Sequence, residues 1–222
     1  MSTPLIIIGG GEHARVVADA ARTTSAYSLL GFVDPEPCDE TVARGTMRRL
    51  GEDTALDDFP GVMAVLGVGP KPHGSEREET VRRLAARVGG WAPVVHARAA
   101  VSPDAKIGDG AVIMAGAIVQ PGACIGRHAV VNSGAVVEHD VVLGDFVHVA
   151  PGAVLGGGVV VGGGTYIGLG AAVRDHVTVG ARAVVGMGAV VVADVADETE
   201  VRGVPARAAV PRGAARSRGR GQ

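Results

Sequence analysis

The residues best suited to chemistry lie in one stretch, Asn132-Ser133-Gly134-Ala135-Val136-Val137-Glu138-His139-Asp140. His139 stands between two carboxylates. A carboxylate hydrogen-bonded to one ring nitrogen sets the tautomer, raises basicity and leaves the other nitrogen to take a proton. His139 is therefore a candidate general base with Asp140 as its orienting acid; spacing alone leaves a solvated surface histidine open. Three more histidines, His128, His148 and His176, fall in the same half of the chain. The four are separated by 11, 9 and 28 residues, with no close pair. A metal site needs three converging ligands, so none is expected. Taken singly, His128 and His176 read as surface or packing residues.

A second candidate site opens the chain. Leu5-Ile6-Ile7-Ile8 runs into Gly9-Gly10-Gly11-Glu12-His13, and the spacing Gly9-x-Gly11-x-x-Ala14 formally fits a dinucleotide fingerprint. Asp34, at the end of the next apolar run, stands near the place of a ribose-binding acid. A glycine turn at a helix start presents backbone N–H groups to a phosphate, although such a turn can also serve packing alone. A complete nicotinamide site needs a second mononucleotide half, and the α/β pattern ends near residue 93 before one could form. The reading is nucleotide or nucleotide-sugar binding. His13 could donate to a phosphate or cap the helix.

What must position His139 is a six-residue count. From Val101 through Val119, Val137, Leu155 and Val173 to Val191, every sixth residue is aliphatic, without an insertion. A fixed period of six is a solenoid signal. Each hexad supplies a short strand and a bend, and three make a triangular coil of 18 residues with the aliphatic residues stacked inside. The abundance of Val and Gly disfavours a helix. The fold expected is thus a parallel β-helix behind a small Rossmann-like α/β unit. That unit's strands are read at Leu5–Ile8, Leu29–Val33 and Val62–Val68, and its helices at Glu12–Arg22 and Glu76–Val88. Trp91-Ala92-Pro93 is the joint, dividing residues 1–93 from a β-helix over 94–210 that Val201–Arg207 closes. Residues 211–222 read as a disordered basic tail. His139 and His148 are nine residues apart, half a coil. Within one chain they should lie on different sides of the triangle.

Composition narrows the class. The chain has 222 residues, 35 of them glycine, and 3% aromatics, so aliphatic side chains must pack the core. The formal charge is −2; the four arginines of the last twelve residues, with no acid among them, leave the rest at −6. An acidic body argues against nucleic acid as a partner. No apolar run reaches membrane-spanning length and no signal peptide opens the chain, which points to the cytoplasm. Cys38 and Cys124 make neither a disulfide nor a metal pattern.

Together these motifs carry a resemblance. The Gly-Gly-Gly-Glu-His turn, the hexads, Asn132-Ser133 leading to Glu138-His139-Asp140, then Phe146-Val147-His148 and the closing Gly203-Val204-Pro205-Ala206-Arg207 are similar to one family. It is the bacterial left-handed β-helix acyltransferases that N-acetylate nucleotide-linked amino sugars or O-acetylate sialic acid. The resemblance spans residues 4 to about 210. It implies a left-handed coil, against the usual right-handed crossover, and a homotrimer with acetyl-CoA lying between adjacent β-helices. It implies His139 as general base, Asp140 as the acid that strengthens it, and His148 as a residue contacting the acetyl group. Gly11, Glu12, His13 and Asp34 match the nucleotide-sugar site. Similar proteins carry a small residue and glycine before this histidine, whereas here Gly11-Glu12 places a carboxylate beside a pyrophosphate.

The reaction so implied moves an acetyl group to the amine of a nucleotide-linked amino sugar, without a metal. Gly157, one coil beyond His139, is expected to let the cofactor approach the backbone. Leu169 and Met187, one coil apart, are expected to line its arm, and Arg207 to meet a CoA phosphate or stay solvated. A transferase acting on a hydroxyl or using a longer acyl-CoA would keep His139 and differ in the acceptor pocket. A non-catalytic solenoid would not need the His139–Asp140 pair.

Overall fold

The computed structural model describes residues 2–36 and 47–209; Cys38 and the basic tail fall outside them. The amino-terminal unit is one parallel sheet. Its elements run β1 (Thr3–Ile8), α1 (Glu12–Arg22), β2 (Tyr27–Val33), β3 (Arg49–Gly51), a short 3-10 turn (Asp53–Asp58), β4 (Met63–Leu66), α2 (Glu76–Leu84) and β5 (Gly90–Trp91). The strand order is β3-β2-β1-β4-β5. β1 lies at the centre, which is why Leu5–Ile8 is an unbroken apolar run: both its faces are covered, and the four residues are at most 2% exposed.

The sheet corrects three expectations. The third strand stops at Leu66 rather than Val68, because Gly67 and Val68 turn into the cleft above β1. The second helix ends at Leu84. Trp91, read as part of a joint, belongs to β5, and β3 was not read at all. Both strands are too short to show a period.

From Val94 on, the chain winds into a three-sided solenoid of two-residue strands, each pairing in parallel with the strand 18 residues away. The first face runs from Val94–Val95 to Glu200–Arg202, the second from Ala100–Val101 to Val190–Val191, and the third from Lys106–Ile107 to Thr178–Val179. The aliphatic residue of each hexad points inward with an alanine or valine two places before it, giving a core of Val119, Ala135, Val137, Leu155 and their equivalents. Val101 and Ile107 are only partly buried, since no coil stacks on the first one's outer edge. At the far end, Asp194 and Asp197 accept from the backbone N–H of Thr178 and Ala181 (both 2.8 Å), and Arg207–Ala208 pairs antiparallel to Glu200–Arg202. These contacts occupy a sheet edge that would otherwise stay open to another chain.

The two units share a core. α1 packs between the sheet and the first solenoid face, where Val17, Ala18, Val94, Val112, Met114 and Val130 form one buried cluster with Leu5 and Ile7. Tyr27 Oη donates to the Pro93 carbonyl (2.6 Å) across the junction. Among the described residues no helix is long and apolar enough to cross a membrane.

Candidate active site

Each solenoid corner turns through a residue with positive φ, recurring every six positions, and most of these are glycine. Asp140 is one of the exceptions, at φ 59°. Aspartate tolerates the left-handed region better than most side chains, and here that conformation has a consequence. It turns the carboxylate back over the preceding residue, so that Asp140 Oδ2 lies 3.0 Å from His139 Nδ1. A carboxylate only accepts, so neutral His139 carries its proton on Nδ1 and leaves Nε2 open as a base. The hydrogen bond to Asp140 raises the imidazole pKa above 6.5, against slight desolvation, with the Asp140 and Glu138 charges adding to the rise. The pair stands on the corner between the second and third faces with both side chains well exposed.

Two glycines make room for it. A Cβ on Gly122, one coil before, would stand 2.4 Å from Asp140 Oδ1, and one on Gly157, one coil after, 2.5 Å from His139 Nε2. Gly157 was expected to open the backbone to a cofactor. The room it leaves is taken by the His139 ring.

His148 is elsewhere. It lies within the first face, 5% exposed beneath the sheet unit. Asn132 Oδ1 accepts from the Ser133 N–H (2.8 Å), which orients its amide, so Nδ2 donates to His148 Nε2 (3.2 Å). His148 therefore bears its proton on Nδ1. Burial first, then the Arg77 and His13 charges, push its pKa down to about 3. Leu169 and Met187 stand exposed on a third location, the corner between the first and second faces, and Arg207 is exposed at the closing strand. Within one chain, none of these shares a corner with His139.

Gly11, Glu12, His13 and Asp34 do come together, lining an open cleft of about 570 Å³ with Gly67, Gly69 and Lys71. The cleft lies over the carboxyl ends of β1, β2 and β4, where the strand order reverses, the usual ligand position in such sheets. Asp34 is more committed than its expected ribose role required: Oδ2 accepts from the Gly10 N–H (2.6 Å) and Oδ1 from the Glu36 N–H (2.9 Å). Glu12 is exposed at the first turn of α1. His13 is buried, and desolvation followed by the Arg77 charge lowers its pKa to about 4, so it is neutral. Among the described residues no three His, Cys, Asp or Glu side chains are placed to hold a metal ion. Two residues of this region escaped sequence reasoning. Asn132 stood in a quoted motif without a role, although it is one coil before Ala150 and so beside His148. Arg77 sits in the charged run Glu76-Arg77-Glu78-Glu79, which looks solvated, yet it is 6% exposed.

Comparison with known proteins agrees with this arrangement. Residues 4–83 match the family described as PglD N-terminal domain, and residues 104–139 the bacterial transferase hexapeptide (six repeats). A search of curated proteins returns no match. Among solved structures, the acetyltransferase domain of PglB from Neisseria gonorrhoeae FA1090 is 33% identical, with 94% of this chain and 100% of that one covered and a TM-score of 0.84. The same domain in complex with acetyl coenzyme A is 32% identical at the same coverage, TM-score 0.85. PerB from Caulobacter crescentus, in complex with CoA and GDP-perosamine, is 32% identical, covering 93% and 97%, TM-score 0.83. Those enzymes are left-handed β-helices, and the solenoid matches theirs. With that identity held over nearly the whole length, the chain belongs to the hexapeptide-repeat sugar acetyltransferases that carry a PglD-type amino-terminal domain.

Proposed function

We propose that this enzyme transfers the acetyl group of acetyl-CoA to the amine of a nucleotide-linked amino sugar, with His139 as general base. The observation that carries the reading is the His139–Asp140 pair, whose Nε2 is free and exposed on an otherwise unreactive corner. The relative from C. crescentus binds CoA and GDP-perosamine, which supports both substrate classes. The acceptor amine attacks the thioester carbonyl while His139 Nε2 takes its proton; the C–N bond forms, the C–S bond breaks and the thiolate of CoA leaves. Asp140 steadies the imidazolium through Nδ1–H. Asn132 Nδ2, held by His148, is the donor suited to the oxyanion.

A complete site takes two chains. The nucleotide cleft and His148 lie off the His139 corner, so His139 of one chain works against the acceptor cleft and His148 of its neighbour in a homotrimer. Ile118, Val154, Val142 and Val160 line the outward sides of the second and third faces, each 37–42% exposed. Apolar patches of this kind mark interfaces. Gly11, His13 and the amino-terminal turn of α1 hold the nucleotide diphosphate in this reading, and Glu12 turns from it. Leu169, Met187 and Arg207 line the acetyl-CoA groove between chains. Residues 1–93 act as the acceptor-binding unit and 94–210 as the transferase body, working in the cytoplasm.

The test is CoA release with a panel of nucleotide amino sugars. Acetylation of an amine by the wild type, and its loss by about 100- to 10,000-fold in His139→Ala with the fold intact, is the expected result. A variant within a factor of a few of wild type would assign the proton to another base.

A further inference from the structure

The seam between the sheet unit and the solenoid holds four basic side chains: His13 of α1, Arg77 of α2, and His128 and His148 of the solenoid. Arg77, His128 and His148 are 6%, 4% and 5% exposed. Arg77 Nη2 donates to the His128 carbonyl (2.8 Å), fastening α2 to the solenoid. Its Nε and Nη1, with His13 Nε2, His128 Nδ1 and His148 Nδ1, are buried with no hydrogen-bond partner among the described residues. The His128 ring is the bolt of this joint. It stacks on Phe146 (centroids 4.9 Å, 17°) and meets Trp91 of β5 edge-on (5.0 Å, 83°). Around His128 stand Arg77, Arg127, Asp109 and Asp145, but Asp145 is already held by Arg127 through two side-chain hydrogen bonds. Around His148 stand His13, Arg77 and Tyr166, with Lys71, Glu76 and Glu78 further along the same crevice.

From this geometry we infer an acid-triggered release: below neutral pH the sheet unit undocks from the solenoid while the solenoid stays wound. A proton on any of these imidazoles would be a second positive charge beside Arg77 in a seam closed to water, which is costly. The solenoid core is aliphatic and has no group to titrate. The direction follows from the shifts. Burial, then Arg77, lowers His13 and His128 to about 4; burial, then Arg77, lowers His148 to about 3, all from 6.5. The docked form therefore resists protons that the released form takes up. Docking is at full strength above about 6.5 and weakens as pH falls toward 4. With up to three protons taken up per release, the docking constant falls by up to roughly a thousandfold per pH unit. If the proposed function holds, release separates the acceptor cleft from the catalytic corner; the release itself is measured without any activity.

Trp91 is the chain's one tryptophan and reports on the joint directly. Its emission is followed from about pH 8 to about pH 4, beside amide hydrogen exchange at each pH. The expected result is a reversible red shift, with protection lost in α1 and α2 and kept along the solenoid core strands. His128→Phe keeps an aromatic ring that cannot titrate, at a corner position whose equivalent one coil on, Phe146, already has positive φ. It should move the midpoint to lower pH and lessen its steepness by about one proton. Loss of protection in both units together, a seam that stays shut to about pH 4, or an unmoved midpoint in His128→Phe would overturn the inference. The wild-type exchange decides the matter even if that variant fails to fold.

Discussion

At the residue scale, the account rests on how one imidazole is held. Gly157 gives a clean probe. Its φ is unremarkable, and an added Cβ meets only the His139 ring. Gly157→Ala should leave thermal stability within about 0.5 kcal/mol, as a surface change does, while pushing the ring aside and lowering kcat at least tenfold. An unchanged kcat would mean that ring position is not limiting. The pH profile probes the other side of the pair. A general base must be neutral, and Asp140 raises the His139 pKa, so activity should fall as pH drops through a value above 6.5. Asp140→Asn removes the chief cause of the rise and should move that acid limb toward lower pH, with a lower plateau; a limb that stays put would free Asp140 of this role. His139 and Asp140 were legible because a histidine between two acids is conspicuous on a bland face. Their geometry was not, since it depends on a left-handed Asp140 and on two glycines a coil away.

At the scale of elements, spacing carried far where the period is strict. The inward residues from Ile113 to Val191 follow from counting by six, because an 18-residue coil stacks each hexad on an identical neighbour. It failed where contacts are local and irregular. Nothing in Arg49–Gly51 or Gly90–Trp91 shows a period, and Arg77 looks solvated because the acids around it are. The glycine turn was found, but the binding partner of Asp34 was not: its carboxylate ties the Gly10 N–H across to β2. Asp34→Ala should therefore loosen the whole turn. The KM for the nucleotide sugar should rise by roughly 10- to 100-fold, the worth of a hydrogen bond to a charged group, with the KM for acetyl-CoA unchanged. Equal weakening of both would place Asp34 outside the acceptor site.

At the scale of the whole molecule, the placement of His139 and His148 decides how many chains a site needs. The two lie on a corner and a face that do not meet in one chain, and the sheet unit covers only the first face. Half-coil counting anticipated the separation; it gave no hint that His148 would be buried or turned toward Asn132. The decisive measurement is complementation between His139→Ala and His148→Ala chains, each nearly inactive alone, co-expressed and purified as verified mixed trimers. In a closed ring every site takes one wall from each of two neighbours, so any mixed trimer pairs an intact His139 with an intact neighbouring His148 once. Recovery of about one third of wild-type activity is the predicted result. Verified mixed trimers that remain as inactive as the two parents would contradict a site shared between chains.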